Sequence, residues 1–176
     1  RAMDHTEADC YCYINCDMML FNDFSSVMSD IYPQIRNDRF FMCGSKWEWP
    51  SPRRVDFKNE VESDIMSEIK DVGQWGPPLA IDYFIFSKDT FQKDSDYFDW
   101  SGKAIPDFLI AREKFDNSIL HYARNNPDIN DITFGTSVMA VHQEHEYEGG
   151  YRNLRSKFSS EFEHNVDVFN SAGGWN

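Results

Sequence analysis

The chain has 176 residues, 41% of them hydrophobic and 16% aromatic, with a formal net charge of −13. This length and apolar content suffice for one domain with a sizeable core. The charge excludes the basic footprint that a nucleic-acid backbone or an anionic lipid surface needs, and no apolar stretch approaches the roughly 18 residues of a membrane span.

The opening residues do not read as a signal peptide. Arg1 to Asp9 reads as the tail of a helix, so strand–helix units of the same domain are expected to precede Arg1. Tyr11 to Ile14 is rich in β-formers and predicts a buried strand stopping at Asn15. The apolar MMLF run follows Asp17, then a helix over about Ser25 to Arg36 interrupted by Pro33. Arg39 to Gly44 predicts a strand stopped by glycine. Ser45 to Arg54, with two tryptophans and two prolines, is expected to be a loop. Val61, Ile65 and Ile69 recur at helical spacing, so about Phe57 to Asp71 is an amphipathic helix whose acids form a solvated face.

Gly73 to Pro78 breaks that helix, and Ile81 to Phe86 is a strand with Asp82 at its start. One helical turn is expected at Lys88 to Gln92, a polar loop over Lys93 to Lys103 and a short strand at Asp107 to Ile110. Helix follows from Glu113 to Arg124, with Phe115, Ile119, Tyr122 and Ala123 on one face. Ile129 to Phe134 and Ser137 to Val141 are short strands leading into His142 to Tyr147; Gly149-Gly150 is a turn, and Phe158 to Phe169 is a last helix. There is no internal repeat, low-complexity tract or interdomain linker, so 1–176 reads as a single domain. The four cysteines are too few for a disulfide scaffold. Cys10, Cys12, Cys16 and Cys43 read as small core residues in a reducing, cytoplasmic compartment.

Asp17 sits where a strand ends, the place where open α/β sheets bind ligands, and His142 ends another strand. Alone, an Asp there is an ordinary turn residue and a His an ordinary polar side chain. Together, a hard carboxylate and an imidazole can hold one divalent cation, and the cation can hold a diphosphate. His142 and His145 also suggest zinc, but zinc takes three or four ligands, no cysteine pair stands near, and the helical zincin spacing is absent. Glu113 and Asp116 begin a helix, where the dipole favours acids. The alternative is a general base. Arg112 beside them is suited to a carboxylate or a phosphate oxygen. Asp82, after Gly76-Pro77-Pro78 and before a strand, reads as a turn cap. Trp47, Trp49 and Trp100 either stack on sugar rings or pack half-buried.

Taken in order, YINCDMML, GSKWEW, AIDYFIF, IPDFLIAREKFDNSIL, AVHQEHEY and FEHN resemble a glycosyltransferase family of GT-A fold, loosely akin to family 2 enzymes, from about Tyr11 to Asn165. The resemblance implies an α/β fold of GT-A type, a mixed sheet flanked by helices, lacking its first β-α units. It implies a nucleoside diphosphate sugar donor, a saccharide acceptor and a Mn2+ or Mg2+ ion at Asp17, His142 and His145. Asn15 and Arg112 would serve the donor side. Asp116 or Glu113 would be the base for an inverting hexosyl or deoxyhexosyl transfer. Asp82, Tyr83, Trp47 and Asn117 would line the sugar pockets. Ala111 replaces a glycine of the pattern and Ser118 an aromatic, which reshapes the acceptor side. Two other readings stand beside it: a non-catalytic carbohydrate- or partner-binding module derived from such an enzyme, and a metal-dependent hydrolase using His142 and His145.

Overall fold

The computed structural model describes residues 6–51, 53–77, 80–91, 108–110, 112, 114–143 and 159–171. Their elements run β1 (Cys10–Ile14), β2 (Met18–Leu20), α1 (Asn22–Ile35), β3 (Phe40–Cys43), β4 (Trp47–Trp49), α2 (Glu62–Val72), β5 (Gln74–Trp75), β6 (Tyr83–Ser87), α3 (Phe115–Asn125), β7 (Asn130–Thr133), β8 (Ala140–Gln143) and α4 (Ser159–Ser171). The chain is mixed α/β, with two mixed sheets and four helices among the described residues. The first sheet has the order β1-β6-β3-β7, antiparallel except for β3–β7. The second has the order β2-β8-β4-β5, antiparallel except for β4–β8.

Alternation of side chains along each strand assigns the faces. Phe41, Cys43 and Phe84, with Tyr13 beside them, pack on Phe115, Ile119, Leu120, Tyr122 and Ala123 of α3 and Phe169 of α4. Phe40, Met42, Tyr83 and Ile85 point the other way, against Phe24, Val27, Met28, Ile31 and Ile35 of α1. All four residues of β3 are therefore buried, as a strand covered on both faces must be. In the second sheet Met19, Trp49 and Val141 pack on Ile65 and Ile69 of α2, while Met18, Leu20 and Ala140 face α1. Each fully buried large side chain contributes about 1.5–3 kcal/mol, so these clusters fix how the two sheets are covered.

Several expectations need correction. The segment Ser45 to Arg54 is not all loop, because β4 lies inside it and occupies the middle of the second sheet. The prolines stand after the strand, where Gln143 ties the chain down by donating to the carbonyls of Ser51 (2.7 Å) and Arg53 (2.6 Å). Helix α1 begins at Asn22, not near Ser25, because Glu62 of α2 caps it, accepting from the backbone N–H of Asn22 at 2.8 Å and from its side chain at 2.7 Å. Pro33 lies within α1 without ending it. The acids of this segment are not all simply solvated: Arg53 bridges Glu60 (2.6 Å), ahead of α2, and Glu68 (2.9 Å), within it. Residues 88–91 are turns, and no strand runs through 108–110 or helix through 6–9. Of the cysteines, all free thiols, only Cys43 is buried; Cys12 and Cys16 are exposed and Cys10 is partly covered. The expected loop at Lys93 to Lys103 and the Gly149-Gly150 turn lie outside the described residues. No helix among the described residues is long and apolar enough to cross a membrane.

Gly44 follows β3 where the chain swings towards β4. A Cβ there would stand 2.2 Å from the hydroxyl oxygen of Tyr83, a fully buried ring. Gly44→Ala is expected to destabilise the fold by about 1–3 kcal/mol, read as a lower urea midpoint at unchanged m-value. Combining it with Tyr83→Phe, which deletes a hydroxyl that has no hydrogen-bond partner, should recover most of that loss. An equal loss in both backgrounds would contradict this steric account.

Candidate functional site

Strand β1 stops at Ile14, and the chain turns through Cys16 and Asp17 into β2, with the Met18 N–H donating to the Asn15 carbonyl at 3.2 Å. Register then places the site. Met18 of β2 and Glu48 of β4 both stand opposite His142 of β8, and directly opposite residues share a sheet face. Asp17 precedes the paired residues, and its carbonyl accepts the Gln143 N–H at 3.1 Å. Its side chain therefore lies at the turn and reaches the same imidazole. His142 Nε2 is 3.2 Å from Asp17 Oδ2, and His142 Nδ1 is 2.5 Å from Glu48 Oε2.

The contacts continue away from His142. Glu48 Oε1 lies 3.1 Å from the ammonium of buried Lys46, which also pairs with Asp82. The Asn15 side chain donates to Asp82 Oδ1 at 3.1 Å and accepts from the Tyr13 hydroxyl at 3.1 Å. A second bond, from the Asn15 N–H to the Asp82 carbonyl, joins the end of β1 to the start of β6. A buried ammonium is costly unless paired, and Lys46 has two carboxylates. Burial alone would lower its pKa; the hydrogen bond and charge of Asp82, with Glu48, outweigh that and raise it. Burial would likewise raise the Glu48 carboxyl, but His142 and Lys46 together hold it below the ordinary range.

Asp116 stands in the first turn of α3, behind Lys114, whose φ of 75° is left-handed. Asp116 Oδ1 is buried without a hydrogen-bond partner. Its pKa is pushed up to about 7, by burial first and then by the charge of Asp82, against the opposing charge of Lys46. Tyr13 reports the same convergence from the other side. Its hydroxyl is pushed up to about 12 by burial and then by Asp116, Asp82 and Asp17. Three carboxylates distant in sequence thus act on one phenol.

The 3.2 Å between His142 Nε2 and Asp17 Oδ2 admits either an N–H···O bond or a shared cation, according to which ring nitrogen carries the proton. Two cis ligands on a six-coordinate ion with bonds of about 2.1 Å stand about 3 Å apart, close to the 3.2 Å observed. The residues therefore fit a small divalent cation, with Glu48 as the outer carboxylate that orients the imidazole. No group of three or more His, Cys, Asp or Glu among the described residues is arranged to hold an ion.

The other expected residues divide. Asp82 belongs to the network. Asn15 is bound to Asp82 and Tyr13, not directed at the Asp17–His142 pair. Arg112 pairs with Glu161 of α4, and Asn117 lies half-exposed on α3. Tyr83 alternates with Asp82 and is fully buried, stacked on Phe134, so it packs in the core instead of lining a pocket. Trp49 is also fully buried, beneath the guanidinium of Arg53. Trp47 adjoins Glu48 in β4 and therefore points to the opposite face of the sheet. Glu113, His145 and Trp100 lie outside the described residues. Glu48 and Lys46 were not anticipated, because their segment reads as a loop. The signal was the polar–apolar alternation Lys46-Trp47-Glu48-Trp49, a period-2 pattern too short to outweigh the neighbouring prolines.

Comparison with protein-family models, with curated proteins and with solved structures yields no match.

The raised proton affinity of Asp116 has a signed effect on stability. Its folded value of about 7 exceeds the ordinary 3.8. Between those two pH values the native state keeps a proton that the unfolded chain has released, so stability falls as pH rises through this window and stays lower above it. Asp116→Asn should therefore gain in melting temperature over the parent as pH is raised from about 5 to about 8. A difference that is flat across this range would contradict the assignment.

Proposed function

We propose that this chain is part of a metal-dependent glycosyltransferase of GT-A type, moving a hexosyl or deoxyhexosyl group from a nucleoside diphosphate sugar to a saccharide hydroxyl with inversion. The observation that carries the proposal is the meeting of Asp17 Oδ2 and His142 Nε2 at 3.2 Å across 125 residues of sequence, with Glu48 on the far ring nitrogen. Two ligands of this kind suit an ion that must also bind substrate oxygens.

When bound, a divalent cation supplies charge neutralisation for a diphosphate leaving group. Asp17 and His142 would hold it, and Glu48 would keep the imidazole tautomer and orientation suited to ligation. Lys46 holds Glu48 and Asp82 in place from between them. Asp116 is the proposed base, since a proton affinity near neutrality suits a group that must accept a proton and release it again. The acceptor oxygen attacks the anomeric carbon as the carbon–oxygen bond to the diphosphate breaks, and the hydroxyl proton passes to Asp116.

Two measurements test this reading. Mn2+ binding, followed by the electron paramagnetic resonance of the free ion, should disappear in Asp17→Ala and weaken roughly 10–100-fold in Glu48→Gln. Release of nucleoside diphosphate from UDP-, GDP- or dTDP-linked hexoses by the full-length protein should need the metal. In Asp116→Asn its kcat should fall by roughly 10²–10⁴ with Mn2+ affinity unchanged. Mn2+ binding that survives Asp17→Ala, or no release from any of these donors, would refute the proposal.

A further inference from the structure

Asn15 stands at the corner where the chain leaves the first sheet for the second, and its backbone and side chain are both engaged there. Its N–H donates to the Asp82 carbonyl at 3.0 Å, and its carbonyl accepts the Met18 N–H at 3.2 Å. The first bond extends the ladder between β1 and β6, and the second closes the turn that carries Cys16 and Asp17 into β2. On the side chain, Nδ2 donates to Asp82 Oδ1 and Oδ1 accepts from the Tyr13 hydroxyl, each at 3.1 Å. An asparagine that only forms a turn bonds its own backbone two residues on. This one instead reaches Asp82, 67 residues away, and turns back to the strand before it.

The two side-chain partners differ in kind. Tyr13 is an anchor: its ring stacks on Phe84 at 5.0 Å and meets the edge of Phe115 at 5.6 Å, which fixes the direction of its hydroxyl. Asp82 is the first member of a chain. Its Oδ1 is held by Asn15 and its Oδ2 by Lys46. Lys46 also holds Glu48, and Glu48 bonds the ring of His142. Asn15 thus bears on Asp17 through the turn and on His142 through three charged residues. An amide supplies a donor and an acceptor at once. A carboxylate at this position would keep the bond from Tyr13 and lose the donor to Asp82, and an alanine would lose both.

We propose that Asn15 is a positioning residue of the Asp17–His142 centre, transmitting the fixed placement of Tyr13 to the Asp17 turn and to the Asp82–Lys46–Glu48 chain, with no contact of its own to ion or donor. This role deepens the metal-site reading above and rests on it. The test compares the full chain with Asn15→Ala, with Asn15→Asp and with Cys16→Ala, a control in the same turn whose thiol is exposed. Asn15→Asp keeps both backbone bonds and the acceptor for Tyr13, so this variant preserves the fold. Without metal or donor, both Asn15 variants should move the 15N signals of the His142 ring and of the Lys46 ammonium, and Cys16→Ala should leave them in place. Mn2+ affinity in the absence of donor should weaken roughly tenfold in both Asn15 variants. The proposal is overturned if those nitrogen signals stay in place in both variants. It is equally overturned if Mn2+ affinity is unchanged and the loss appears only in the KM for the donor, the pattern of a residue that touches the donor itself. A parent that binds no Mn2+ refutes the metal reading instead, and the nitrogen signals then decide the role of Asn15.

Discussion

The imidazole of His142 is held at both ring nitrogens, and the rest of the polar centre follows from that constraint. The row Met18–His142–Glu48 runs across three strands, and its register is set by hydrophobic burial on the reverse face. Met19, Trp49 and Val141 must meet Ile65 and Ile69 of α2. A one-residue slip of β8 would turn Val141 to the polar side and His142 into the apolar layer. The apolar core thereby determines which charged groups meet, although none of its members touches the chemistry.

From His142 the centre extends as a chain of polar contacts: Asp17, His142, Glu48, Lys46, Asp82. Lys46 lies between Glu48 and Asp82 and keeps the two carboxylates together. The same arrangement reaches Asp116, whose proton affinity is raised by burial and by Asp82 and restrained by Lys46. The proposed metal side and the proposed base side are thus one electrostatic unit. Lys46 is its pivot, and a change at Lys46 would be felt at both ends. The opposite face of β4 carries tryptophans and an open cavity, so a single short strand serves two chemically different surfaces.

Much of the framework was legible from local pattern. The runs at Tyr11 to Ile14, Arg39 to Gly44 and Ile81 to Phe86, and the helical spacings around Ile65 and Ile119, lie close to the observed elements. Each carries enough apolar residues for its period to emerge. The failure at β4 had a physical cause: three residues between a glycine-led turn and a proline are too few to declare a period. The early start of α1 was hidden because its cap, Glu62, comes from another helix forty residues away. Asp17 and His142 could be picked out as strand-end residues of complementary ligand type. Tyr83 packs in the core and Trp47 lies on the face turned from Glu48, because their neighbours Asp82 and Glu48 occupy the polar face and alternation sends the adjacent side chain elsewhere.

The sequence by itself determined the α/β class, the positions of most elements and the candidacy of Asp17, Asp82, Asp116 and His142, because burial periodicity and residue chemistry are local properties. Only the tertiary structure decided that Glu48 and Lys46 join these residues, that burial and Asp82 raise the proton affinity of Asp116, and that Trp47 and Trp75 share the wall of one open pocket. Those outcomes depend on strand register, desolvation and the summed field of groups distant along the chain, quantities that acquire values only once the chain has folded.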